Sequence, residues 1–111
     1  MNDRELLELA AKAAGIEGLT WRNGSACFYY DDPETGREEW NPLCKDGQAL
    51  RLAVKLNFTV RCYMGNTCVQ STVPGGPSVM VDDADTRRAI TRAAAEIARA
   101  ADAGGKEGNH D

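Results

Sequence analysis

Leu6, Leu7, Ala10, Ala13 and Ala14 recur at three- and four-residue intervals, the spacing of one helical face, while Asp3, Arg4, Glu8 and Lys12 fall on the other. Asn2, with Glu5 three residues later, forms a capping-box pattern, and Gly15 supplies the stop. The period then changes. LTWR, SACFYYDD and REEWN are β-prone runs separated by Asn23-Gly24 and by Asp32-Pro33-Glu34-Thr35-Gly36, both turn sequences. Three antiparallel strands are predicted over about 19–22, 25–31 and 37–41. A two-residue turn at Asn23-Gly24 pairs Trp21 with Ala26 and Leu19 with Phe28. Leu19, Trp21, Phe28 and Tyr30 then share one face, and Cys27 and Tyr29 the other. Pairing Asp32 with Arg37 across the second turn sets Trp40 opposite Tyr29.

The segment WNPLCKDGQALRLAVKL ends that pattern. Asn41-Pro42 cannot continue a ladder, because proline has no N–H and restricts the residue before it. Asp46 is the expected N-cap of a helix containing Ala49, Leu50, Leu52, Ala53, Val54 and Leu56, interrupted only by Arg51 and Lys55. Such a helix is expected to be central and buried on more than one side. The segment reads as a strand-to-helix corner in which Trp40 and the helix define the core.

FTVRCYMGNTCVQSTV is a second hairpin with Gly65-Asn66 as its turn. Counting outward pairs Tyr63 with Cys68, Cys62 with Val69 and Val60 with Ser71. Phe58, Val60, Cys62, Val69 and Val73 then form an apolar face, and Thr59, Arg61, Tyr63, Cys68, Gln70 and Thr72 a polar one. Pro74-Gly75-Gly76-Pro77 is a turn, and SVMV either a short strand or a lead into the last helix. Asp82, Asp83 and Asp85 suit the positive end of a helix over about 84–101, whose apolar stripe is Ile90, Ala93, Ala94, Ile97 and Ala101. The tail, 102–111, has no apolar anchor and is expected to be disordered.

These elements predict one α+β domain, residues 1–101, of order α-βββ-α-ββ(β)-α, with antiparallel sheet from a three-stranded meander and a second hairpin. Its expected core includes Leu6, Ala10, Phe28, Leu50, Ala53, Phe58, Val60, Ile90 and Ile97. No apolar run among the 111 residues approaches the roughly 20 needed to span a bilayer, and the acidic start MNDRELLELA is no signal peptide. A cytoplasmic location is expected.

A net charge of −4 argues against nucleic acid as the main partner, since that affinity comes from Lys and Arg neutralising phosphates. Cys27, Cys44, Cys62 and Cys68 form no CxxC pair, and the one histidine is His110, so no metal site and no cofactor is expected. The thiols are expected to be reduced and mostly buried, with Cys62 and Cys68 on opposite faces of their hairpin. No catalytic residues are assigned: the folded part has no histidine to activate a nucleophile, and no Walker or dinucleotide-binding glycine pattern is present. The glycines of VPGGP read as a plain turn.

Three groups of polar residues carry candidate chemistry. Asp31, Asp32, Glu34, Glu38 and Glu39 crowd one hairpin and read as a solvated turn, or as an acidic protrusion for a basic partner. Arg88, Arg92 and Arg99, with Arg87 nearby, stripe one side of the last helix, as a wet face or as a surface for an acidic partner. Arg61, Tyr63 and Gln70, with Tyr29 and Trp40, have the chemistry to stack on and hold a nucleotide-like small molecule, if they converge. Cross-strand pairing that stabilises the sheets is the favoured explanation of them.

The order of signals resembles small tailed-phage and prophage proteins of the NinX-like kind. The matching residues are Ala14-Gly15-Ile16, Trp40-Asn41-Pro42 and Arg87-Arg88-Ala89-Ile90, within a likeness over about residues 3–101 that lapses between 57 and 80. The resemblance implies a phage or prophage accessory protein in the bacterial host cell, with no catalytic residues to carry over. The expected function is therefore non-enzymatic: binding of a host or phage protein, with countering of a host defence as one role. A small-ligand binding or sequestering protein is the alternative.

Overall fold

A computed structural model describes residues 2–24, 27–71 and 78–110, with side chains to residue 101. The first helix, α1 (Asp3–Ala13), opens as its capping pattern predicts: the Asn2 side chain accepts the Glu5 N–H at 2.8 Å. It closes in a Schellman motif. Ile16 N–H reaches Ala11 O at 2.9 Å and Gly15 N–H reaches Lys12 O at 3.1 Å, with Gly15 at φ +77°.

Strands β1 (Thr20–Arg22), β2 (Cys27–Asp32) and β3 (Gly36–Trp40) form sheet A; β4 (Thr59–Tyr63), β5 (Asn66–Ser71) and β6 (Val79–Asp83) form sheet B. Both are antiparallel meanders, and helices α2 (Asp46–Lys55) and α3 (Thr86–His110) complete the α+β domain. The SVMV segment is thus strand, and Asp82 and Asp83 end it instead of opening the helix. Asp85 alone caps α3, accepting the Arg87 N–H at 3.0 Å. The backbone of α3 runs past the expected end near residue 101. Val73 and the VPGGP turn lie outside the described residues.

Three registers differ from expectation, with unequal consequences. Trp21 pairs with Phe28, two residues from the expected partner, and Val60 pairs with Val69, again a shift of two. An even shift leaves every side chain on its predicted face. The third shift is by one. Asp32 pairs with Gly36, because Pro33, Glu34 and Thr35 form a three-residue loop in which Asp32 Oδ1 accepts the N–H groups of Glu34 and Thr35. Gly36, at φ +87°, turns the chain back into the ladder. Trp40 therefore faces Phe28, not Tyr29, and joins Trp21, Phe28 and Tyr30 on the inner face of sheet A.

One core runs from Phe28 and Trp40 of sheet A through all three helices to Val69, Val79 and Val81 of sheet B. Leu6, Ala10, Phe28, Ala53 and Ile90 are buried as expected, while Phe58, Val60 and Ile97 are half-buried. Leu50 is the exception. It is 64% exposed and Val54 is 69% exposed, so α2 buries one stripe (Gln48, Ala49, Leu52, Ala53) and not most of its circumference. No helix among the described residues is long and apolar enough to cross a membrane.

Candidate functional site

The corner between β3 and α2 is held by a buried polar side chain. Gln48 accepts the Asn41 N–H at 2.6 Å through Oε1 and donates through Nε2 to Glu39 O. Both backbone groups lie where proline has ended the ladder, so the glutamine replaces a missing strand partner. Asp46 begins the helix without capping it, and Lys45 occupies the cap position with no side-chain hydrogen bond. Trp40 fixes the other side of the corner: it is 4% exposed and its Nε1–H donates to Leu7 O at 2.9 Å.

With 3.6 residues per turn, α2 then presents two flanks to two concavities. Asp46, Ala49, Leu50 and Ala53 border an open groove of about 840 Å³ whose far walls are Val60 of β4 and Ile90 of α3. The rim is acidic. Arg87 lies across it, its Nε 3.5 Å from Asp46 and 3.6 Å from Asp85 and its Nη1 donating to Cys44 O at 3.0 Å. On the opposite flank Gln48, Arg51, Leu52 and Lys55 border a cleft of about 220 Å³, closed by Ile16, Tyr30, Asp32 and Trp40.

The five residues expected to hold a small ligand fall in three places. Trp40 is a core residue of sheet A. Tyr29 stands on the outer face of that sheet, 5.3 Å beneath the Arg22 guanidinium. Arg61, Tyr63 and Gln70 share the outer face of sheet B, where Arg61 lies opposite Cys68, Tyr63 opposite Asn66, and Gln70 between Thr59 and Met80. The structure does not bring the five together.

The arginines of α3 are brought together and are already engaged. Arg88, Arg92 and Arg99 line a hollow of about 270 Å³ beside Leu6 and Glu96. Arg88 Nη1 lies 3.1 Å from Asp3, Arg92 Nη1 3.0 Å from Asp83, and Arg99 Nη1 3.0 Å from Glu96. Arg87 points away from the hollow, toward the groove. The acidic hairpin is similarly occupied: Glu38 accepts the hydroxyls of Tyr30 and Thr35, and Glu39 accepts from Asn41 and lies 3.9 Å from Lys45.

Titration follows these contacts. Partial burial, then the Glu38 carboxylate, pushes the Tyr30 phenol up. Burial followed by a hydrogen-bonded carboxylate, Glu39 for Cys27 and Asp82 for Cys68, likewise raises both thiols, which disfavours the nucleophilic thiolate. Contrary to expectation the thiols are not mostly buried: Cys44 and Cys62 are exposed, and Cys27 and Cys68 half-buried. Asp32 is held low by the N–H groups of Glu34 and Thr35, and Asp83 by the Asp85 N–H and then by Arg92 and Arg88.

Sequence reasoning missed Gln48, Arg51 and Lys55. The spacing Gln48-Arg51-Leu52-Lys55 was the available signal, since it places one amide, one apolar residue and two cations on a single helical flank. Comparison of the chain with protein-family models, with curated proteins and with solved structures finds no match.

Proposed function

We propose that this chain is a non-enzymatic binding protein that holds a short apolar segment of a partner protein in the groove between α2, β4 and the start of α3. The observation that carries this reading is the exposure of Leu50, 64%, on the wall of an apolar concavity, with Val54, 69% exposed, one helical turn further along α2. Paired large apolar side chains on one exposed stripe cost solubility unless a partner covers them. The occupant is basic as well as apolar, because at the rim the two carboxylates of Asp46 and Asp85 share the single Arg87, which leaves the rim one negative charge on a chain of net −4. The resemblance to phage and prophage accessory proteins supplies the setting: the cytoplasm of an infected bacterial host, a host or phage protein as partner, and countering of a host defence as the role.

The test compares the chain with a Leu50→Asp/Val54→Asp variant as bait in a phage-infected host, followed by titration of the recovered partner. Expected is a partner retained by the chain, lost by the variant, and weakened when the partner's own basic residue is replaced by Glu. The variant's melting temperature stays unchanged, since both positions are exposed. Retention of the same proteins by both baits, or of none, overturns the reading.

A further inference from the structure

The cations of this protein divide by whether their charge is already used. On α3, Arg87, Arg88, Arg92 and Arg99 each lie within ion-pair distance of a carboxylate. On α2, Arg51 and Lys55 have no carboxylate within that distance among the described residues. Arg51 makes one hydrogen bond, from Nε to Gly47 O at 3.3 Å, which leaves its terminal nitrogens available. Lys55 Nζ hangs over the end of α1, 3.8 Å from where a Cβ on Gly15 would stand. The two cations are one helical turn apart and face the same cleft.

Beneath them the cleft is apolar, walled by Ile16, Leu52 and Trp40. Its other polar groups are engaged elsewhere. Gln48 uses its amide on the backbone of β3 and Asn41, Tyr30 donates its hydroxyl to Glu38, and Asp32 accepts two backbone N–H groups at its own turn. Counting Arg51 and Lys55 against Asp32 leaves the cleft at +1 on a chain of net −4. A volume of about 220 Å³ is below the roughly 300–1,000 Å³ of pockets for drug-sized ligands.

We infer that this cleft is a binding site for a small organic anion: a body of about one ring against Ile16, Leu52 and Trp40, and a carboxylate or phosphate head held between Arg51 and Lys55. The apolar floor selects the body. The paired cations select the head, by charge-assisted hydrogen bonds from a fork and a point charge set side by side. The site is separate from the groove, since it uses the opposite flank of α2.

The experiment is a ¹⁵N–¹H NMR titration of the full chain with phenyl phosphate and with benzoate, and phenol as the neutral comparator. Saturable shifts at the Trp40 indole N–H and at the Arg51 and Lys55 amides are expected with at least one anion. The tighter of the two identifies the head group. Arg51→Gln/Lys55→Gln should weaken binding at least about tenfold, and phenol should bind at least about tenfold more weakly than the better anion. The melting temperature of this variant should be unchanged, and the groove variant Leu50→Asp/Val54→Asp should bind the anion normally. Four results overturn the inference: no cleft shift at millimolar anion, phenol binding as well as the anions, undiminished binding by the double variant, or shifts confined to the hollow of Arg88, Arg92 and Arg99.

Discussion

The two flanks of α2 are made from alternating stretches of the same ten residues, yet they expose opposite chemistry. One shows Leu50 beside an acidic rim, with Val54 exposed a turn further on; the other shows Arg51 and Lys55 above an apolar floor. What separates them is the buried stripe between, where Gln48 is bonded to the end of β3, Leu52 lines the cleft with Trp40, and Ala49 and Ala53 line the groove with Ile90. The helix is thus a partition. Its buried residues set how deep each concavity is, and its exposed residues set what each could hold. A short helix can serve two surfaces when its core stripe is narrow and partly polar.

The largest effect is expected where the partition meets its floor. Trp40→Ala removes a side chain that is 4% exposed, together with its hydrogen bond to Leu7 O, and should cost about 3–5 kcal/mol in denaturant unfolding. Its consequences are one-sided: the cleft loses its wall, while the groove keeps every residue that borders it. Anion binding that survives in a folded Trp40→Ala chain would show that the cleft does not need its aromatic edge.

Next comes a pair two residues apart. Leu52→Ala should cost about 2–5 kcal/mol, because Leu52 is 3% exposed and belongs to the core. Leu50→Ala should cost no more than about 0.5 kcal/mol. Chevron or equilibrium melts of the two variants measure the partition directly. Equal losses would mean that Leu50 is covered in solution, either by this chain or by another copy of it.

That pair also shows where the sequence was legible and where it was not. Alternation along β2 and β4 survived because the turns shifted pairing by two residues, and an even shift cannot exchange faces. The Asp32–Gly36 turn shifted pairing by one and moved Trp40 from the face of Tyr29 to that of Phe28, a difference decided by the Asp32 side chain and the left-handed Gly36, not by any apolar pattern. In α2 the apolar positions outnumber those the core can accept. Gln48 took a buried position because the chain leaving β3 had unpaired backbone groups to satisfy, and Leu50 was left outside. Which cations are free was illegible for a related reason: the partners Asp3 and Asp83 lie 85 and 5 residues from Arg88 and come together only through the fold. The stripe of Arg88, Arg92 and Arg99 was visible in the spacing; its neutralisation was not.

A middle-sized effect separates packing from polar closure. Gln48→Ala leaves the Asn41 N–H and the Glu39 carbonyl without their partner at a half-buried corner, for a cost of about 1–3 kcal/mol. Gln48→Glu restores an acceptor but no donor, so it should recover only part. Hydrogen exchange at Asn41 is the readout, and protection there should fall in the alanine variant and partly return in the other.

The smallest effects test whether α2 and α3 treat their cations differently, and acid is the probe. Asp83 sits among Arg88 and Arg92, and Asp32 in the cleft near Arg51; both titrate below the ordinary carboxylate value, for the backbone N–H groups they accept and then for those guanidiniums. A folded value below the unfolded one, about 3.9, means that the contribution is complete above that pH and is lost as pH falls through the folded value. Melting temperature should therefore hold from neutral pH to about 4.5 and decline below it. Asp83→Asn should lower the neutral plateau and flatten the decline, because Arg92 loses its carboxylate at 3.0 Å and Arg88 the weaker of its two, at 3.9 Å. Asp32→Asn should change the plateau less, since an Asn carbonyl still serves the turn and no ion pair is lost. It also makes the cleft more positive, so phenyl phosphate should bind this variant more tightly than the unaltered chain. Should the two Asn variants titrate alike, Asp32 holds Arg51 as Asp83 holds the arginines of α3, and the cationic flank of α2 loses what distinguishes it.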